Sequence, residues 1–259
     1  MNYADIVNED YPVIGLKVYP SGDAEVIRGQ AITALRRRKV PQQKTEPQRG
    51  KIKELSLRSR LRLAFTVSVT SVRLKSLLTL TYGHKVPTNG KDCKGHLNAI
   101  LTALRRWYRK SGEKISYVWF LEFQKRGAPH YHILMSERPD DKVRKFVADT
   151  WSRLVGEGGE DTEHVRWQHM RRRTWENVRH QEGAKRYCLK YALKPYQKEV
   201  PEAYQDVGRF WGASRDVKEC KGEAKVYELT NDELRRYLWG IDHAAKKCDV
   251  IPKLLFGVK

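Results

Sequence analysis

The alternation of apolar and polar positions divides the chain into elements before any single residue is considered. Leu97, Ile100, Leu101, Leu104, Trp107 and Tyr108 recur at steps of three and four, which makes one face of a helix over 92–110. Arg105, Arg106, Arg109 and Lys110 crowd its C-terminal end, where cations suit the helix dipole. Val143, Phe146, Val147, Trp151, Leu154 and Val155 predict a second helix over about 140–155, stopped by Gly156, Gly158 and Gly159. Residues 77–82 read as a buried strand ended by Gly83, and 115–123 as another. Residues 133–135 end a third strand, joined to the second by a turn through 125–129. Residues 164–170 read as a further strand. Leu55, Leu57, Leu61, Leu63 and Phe65 alternate with arginines in a basic helix over 55–71, and a third amphipathic helix covers 183–196, ending at Pro195.

The ends of the chain look accessory. Residues 13–19 and 24–27 suit two short strands around the turn at Pro20–Gly22. The basic run 34–39 and the polar stretch 41–51 suit a linker or a DNA-facing arm. Gly208 to Gly212 reads as a turn with aromatic anchors. Thr230 and Glu233 form a capping box that opens a last helix, with Leu234, Tyr237, Leu238 and Ile241 inward. The expected division is 1–55 as accessory strands and basic arm, 56–215 as the main domain, and 216–259 as a helical extension. The order of elements predicts an α+β fold, a central antiparallel sheet with helices on one face.

Charge narrows the function. The 259 residues carry a net charge of +20 with 40% hydrophobic content. That apolar share supports a packed core rather than a disordered basic tail, and the excess of cations favours a polyanionic partner, nucleic acid first. No apolar run approaches the roughly 18 residues of a spanning helix, and the start of the chain lacks the pattern of a signal peptide. A cytoplasmic protein with no membrane partner is expected. Cys93, Cys188, Cys220 and Cys248 have neither zinc-ribbon nor disulfide-framework spacing, so reduced thiols are expected.

Candidate chemistry begins at the hairpin. Residues two apart on a strand share a face, so His130 and His132 point the same way, about 6–7 Å apart at the backbone. Glu122 lies on the partner strand between Leu121 and Phe123, opposite one of the two histidines if the chain turns near Arg126 and Gly127. A carboxylate in so apolar a stretch needs a cation. Two imidazoles and one carboxylate suit a metal with open positions for water or substrate. Two other readings stand beside it: two surface histidines, and an ion pair of Glu122 with Arg126 or a lysine.

The helix after 183 adds a second group. At about 100° per residue, Tyr187 and Tyr191 lie about 40° apart, with Lys190 and Lys194 close by on the same side. Cys188, Leu189, Ala192 and Leu193 form the opposite, apolar side. The phenols are therefore presented with two cations, an arrangement that suits phosphate.

Three motifs then carry a resemblance. His130-Tyr131-His132 matches the histidine–hydrophobe–histidine signature of the HUH endonucleases. Leu78-Thr79-Leu80-Thr81-Tyr82 resembles their first motif, residues 122–132 their second, and Tyr187-Cys188-Leu189-Lys190-Tyr191 the two-tyrosine form of the third. Over about 74–212 the chain resembles the rolling-circle replication initiators of small single-stranded DNA bacteriophages, and Gly208–Gly212 is similar to a segment of the filamentous-phage type. The resemblance implies a central antiparallel sheet related to RNA-recognition and ferredoxin-like folds, with the histidines on a middle strand. It implies Mg2+ or Mn2+ held by His130 and His132, with Glu122 as third ligand. It implies nicking of single-stranded origin DNA by Tyr187 or Tyr191, aided by Lys190, through a 5′-phosphotyrosine link, then strand transfer that closes the circle. Arg126, Lys194, Arg171, Arg172 and Arg173 are the candidate DNA contacts. The resemblance also implies double-stranded replicative-form DNA as a further partner, in the bacterial host cytoplasm. No phosphate-binding loop of a helicase motor is present, so a host helicase is expected. Two alternatives use the same residues differently: a relaxase or transposase of the same superfamily, and a non-catalytic single-strand-binding module.

Overall fold

The computed structural model describes residues 14–28, 54–156, 160–170, 174–180, 183–188, 200–247 and 255–258. The chain forms two compact units, one from residues 1–47 with 221–259, the other from 48–220.

The larger unit is built on a five-stranded antiparallel sheet. Its strands are β3 (Ser76–Thr81), β4 (Tyr117–Phe123), β5 (Pro129–Met135), β6 (Trp175–Asn177) and β7 (Trp211–Ala213), in the order β6-β3-β5-β4-β7. β5, which carries both histidines, is the middle strand. The β4–β5 turn closes by Gln124 N–H to Ala128 O at 2.9 Å and Gly127 N–H to Gln124 O at 2.8 Å. Gly127 has φ 77° there, a conformation that disfavours any side chain with a Cβ.

Period two assigns the faces. Leu78, Leu80, Tyr117, Trp119, Leu121, Tyr131, Ile133 and Met135 enter the core. Against them pack α2 (Gly90–Lys110) and α3 (Asp141–Val155) through Leu97, Ile100, Leu104, Val143, Val147 and Trp151. Both helices start on side-chain caps: Asn89 accepts from Asp92 N–H and Asp140 from Val143 N–H. The periodicity of both matches expectation.

The other face is also covered, contrary to the expectation of helices on one side only. α1 (Leu57–Val69) brings Leu63 to a small cavity shared with Phe120 and Glu122, and Cys188 of α5 (residues 183–188) lines the same space. α1 buries Leu63, Ala64, Phe65, Val67 and Val69, a set too broad to show a single helical stripe in the sequence.

One element differs in kind. Residues Glu160–Met170 form a helix, α4, not a strand. Val165 and Trp167 suggest alternation, but the buried stripe is Val165 and His169, four apart, while Trp167 is 58% exposed. A histidine occupies the apolar position, so hydrophobicity alone hides the period. Next, α6 (Arg215–Glu219) follows β7.

The smaller unit has its own sheet, β8-β1-β2-β9, from β1 (Ile14–Val18), β2 (Ala24–Arg28), β8 (Lys225–Leu229) and β9 (Leu255–Val258). β1 is antiparallel to β2 and β8, and β2 is parallel to β9. Leu16, Ala24 and Val26 pack with Leu234 of α7 (Asn231–Lys247). The expected capping box is present: Thr230 N–H donates to Glu233 Oε2 at 2.8 Å, and Glu233 N–H to Thr230 Oγ1 at 3.3 Å. The two chain ends, read separately in the sequence, thus share one sheet. Pairing between residues as distant in the chain as Ile14 and Leu229 leaves no local signal.

Among the described residues Cys93, Cys188 and Cys220 are free thiols, and no helix is long and apolar enough to cross a membrane. The basic arm of 34–51 and Cys248 lie outside the described residues.

Candidate active site

The β4–β5 register places Glu122 across from His130 and Phe120 across from His132, while β3 places Thr81 across from His130 and Thr79 across from His132. These six side chains therefore share the face opposite the main core. Glu122 faces His130 in the backbone ladder, yet its carboxylate reaches the other histidine: His132 Nε2 to Glu122 Oε2 is 2.9 Å. His132 is 2% exposed and Glu122 9%. Phe120 stacks on the His132 ring at 4.9 Å, and the His130 and His132 ring centroids are 4.6 Å apart.

The second nitrogen of His132 meets two hydroxyls. Thr79 Oγ1 is 3.2 Å and the Tyr187 hydroxyl 3.3 Å from Nδ1. If Nε2–H donates to Glu122, Nδ1 is an acceptor for either hydroxyl. If Nε2 offers its lone pair elsewhere, Nδ1–H donates to them. In either tautomer Nδ1 has one bonding direction, and the Thr79 and Tyr187 hydroxyls both lie within reach of it. Gln124 reaches His130 in the same manner, its Nε2 lying 3.3 Å from His130 Nδ1.

The donor types suit a divalent ion. Two imidazoles and a carboxylate lie on one sheet face, and the 2.9 Å between Glu122 Oε2 and His132 Nε2 is close to the ~3.0 Å between neighbouring ligands at right angles about an ion with bonds near 2.1 Å. Among the described residues, however, no three His, Cys, Asp or Glu side chains are gathered closely enough to enclose one. The residues fit the group by chemistry and by face.

Other candidates fall in different places. Arg126, the alternative partner for Glu122, donates to Tyr82 O at 2.7 Å and Gln124 Oε1 at 2.9 Å, beside the histidines. Lys190, Tyr191, Lys194, Arg171, Arg172 and Arg173 lie outside the described residues. Of three aromatic residues near these elements, Tyr131 is fully buried beside Cys93, Trp175 is in the core, and Trp167 is exposed.

Sequence reasoning passes over Thr79, Thr81, Gln124 and Phe120. The threonines carry a readable signal, since Thr79 and Thr81 alternate with Leu78 and Leu80 and so leave the core face. His169 carries none: it is fully buried, its Nε2 accepting from Thr81 N–H at 3.1 Å and its Nδ1–H donating to Val165 O at 2.7 Å. It takes the place of a ladder partner where β6 has ended.

Part of the chain is similar to known proteins. Residues 75–196, just under half of the chain, match the model of a family described as replication-associated protein ORF2. The match spans the threonine strand, the histidine hairpin and the tyrosine helix. No curated protein matches the chain. Among solved structures, the N-terminal nuclease domain of the minute virus of mice non-structural protein 1 aligns at 8% identity, over 71% of this chain and 82% of that one, with a TM-score of 0.30. That domain is described with Zn2+ in its active-site pocket. The likeness is too slight to speak for this chain.

Proposed function

We propose that this protein is a rolling-circle replication initiator that nicks single-stranded origin DNA in a metal-dependent reaction and rejoins it by strand transfer. The observation that carries the reading is the approach of the Tyr187 hydroxyl to His132 Nδ1 at 3.3 Å, on the sheet face that also holds His130 and Glu122. The family match over 75–196 spans the same residues and supports a role in replication.

In this reading Tyr187 is the nucleophile. Its oxygen attacks a phosphodiester phosphorus, the P–O3′ bond breaks, and the 3′-oxygen leaves with the electron pair. The phenol proton passes to water and the leaving oxygen takes one from water. The products are a 5′-phosphotyrosine and a free 3′-OH, which primes synthesis. A phenol has an ordinary pKa near 10, so attack near neutral pH needs the phenolate favoured by roughly three units, about 4 kcal/mol. Glu122, His130 and His132 would hold Mg2+ or Mn2+, whose charge favours the phenolate and draws electron density from the phosphate oxygens. Lys190, close by in the chain, adds a cation. Tyr191 serves the return transfer, and because the covalent link conserves the phosphodiester energy, rejoining needs no ATP. Arg126, Lys194 and Arg171–Arg173 hold the strand, and a host helicase opens the replicative-form duplex in the bacterial cytoplasm.

The test uses a pool of random-sequence single-stranded oligonucleotides with Mn2+, resolved on a denaturing gel. Wild type gives a protein–DNA adduct that EDTA prevents. Tyr187→Phe loses most of it while still binding DNA, and Tyr187→Phe with Tyr191→Phe gives none. A double variant that retains the adduct overturns the reading. Binding without any metal-dependent adduct points to a non-catalytic module.

A further inference from the structure

Beside the histidine cluster lies a cleft of about 460 Å³ whose wall includes Thr81, His84, Gln124, Arg126, His164 and Gln168. That size falls among small-ligand sites of roughly 300–1,000 Å³. Two of these residues tie it to the candidate site: Thr81 sits across from His130 on the neighbouring strand, and Gln124 lies 3.3 Å from His130. A group in the cleft is therefore next to whatever His130 touches.

The lining is of an unusual kind for so basic a protein. Arg126 alone among these residues carries a permanent charge, and it is turned to Tyr82 O and Gln124. The rest are neutral amides and hydroxyls with two imidazoles, His84 and His164, whose ring centroids are 5.7 Å apart. A second groove is lined instead by charged side chains of both signs, Arg105, Arg106, Arg109 and Lys114 together with Glu113, Asp216 and Glu219. The cleft offers flat rings and paired donors and acceptors, which suit a base.

Gln168 supplies the reading group. Its Oε1 accepts from Thr81 Oγ1 at 3.3 Å, and its Nε2 lies 2.8 Å from His164 Nε2. An amide has two N–H donors and two lone pairs. One of each is left to meet a base edge, the pairing an amide makes with adenine.

We infer that this cleft binds one nucleobase of the strand being cut, that of a nucleotide adjacent to the scissile phosphate, and that Gln168 and His84 set which base is accepted. The inference rests on the nuclease reading above. It adds a selective pocket whose two reading residues, Gln168 on α4 and His84 in the loop after β3, lie outside the histidine and tyrosine motifs.

Sequencing the DNA trapped covalently from a random single-stranded pool tests it. Wild type is expected to show a strong base preference at a position within two nucleotides of the cut. Gln168→Ala and His84→Ala, the latter at an exposed loop residue, are expected to flatten that position by about 10-fold and to leave preferences elsewhere in place. Wild-type adducts with no preference near the cut overturn the inference alone. So does an unchanged profile in both variants, or the loss of all adducts in both, which would place these residues in cutting rather than reading. Wild type that traps no DNA sinks the nuclease reading and this inference with it.

Discussion

Glu122 lies between Leu121 and Phe123, 9% exposed, with its Oε2 2.9 Å from His132 Nε2. A carboxylate in that position needs a strong partner, and the neighbouring imidazoles supply the setting for one. Glu122→Ala is expected to lower Mn2+-dependent adduct formation by about 100-fold, measured as initial rate across a metal titration; an unchanged rate would remove Glu122 from the ligand set. His169 makes a separate claim about stability. Burial pushes it down to about 4, from an ordinary value near 6.5. The native state stays neutral through that range while the unfolded chain takes up a proton, so stability falls as pH drops from about 6.5 to 4, by at most ~3 kcal/mol. Urea unfolding at pH 7 and pH 4.5 reads this directly, and His169→Gln, which keeps an acceptor for Thr81 N–H but does not titrate, is expected to flatten the difference. At this scale the histidine pair and Glu122 are legible in the sequence because period two on a hairpin is a local rule. The same rule exposes Thr79 and Thr81. The Tyr187–His132 approach is not legible, since the two residues are 55 positions apart and their meeting depends on the fold.

Among the elements, the hairpin and α2 and α3 follow from spacing and caps alone. α4 does not, because a buried histidine stands in its apolar stripe. The second covered face is hidden for a related reason: α1 buries residues on several sides, which blurs its period. β7 shows how little room the sheet edge leaves. A Cβ on Gly212 would come within 2.8 Å of the Trp119 ring, and Lys94 Nζ sits 3.6 Å over the same tryptophan. Gly212→Ala is expected to destabilise the protein by about 1–3 kcal/mol, read as a lower urea midpoint. An unchanged midpoint would mean that the ring yields freely.

For the molecule as a whole, the site lies within the unit of residues 48–220, which holds the sheet, the hairpin and Tyr187. Composition points to a polyanionic partner, and the net charge of +20 sets an expectation for binding. The logarithm of single-strand affinity is expected to fall with log salt by about 0.7 per phosphate contact; affinity that is flat between low and physiological salt would contradict a charge-held strand. The central claim is that the hairpin and the tyrosine helix form one catalytic centre. The most direct measurement is mass spectrometry of the adduct formed from single-stranded DNA and Mn2+, after digestion of protein and DNA. The expected product is a nucleotide joined through its 5′-phosphate to Tyr187 or Tyr191, absent when EDTA replaces the metal. Modification of any other residue, or the same adduct in EDTA, would contradict the claim.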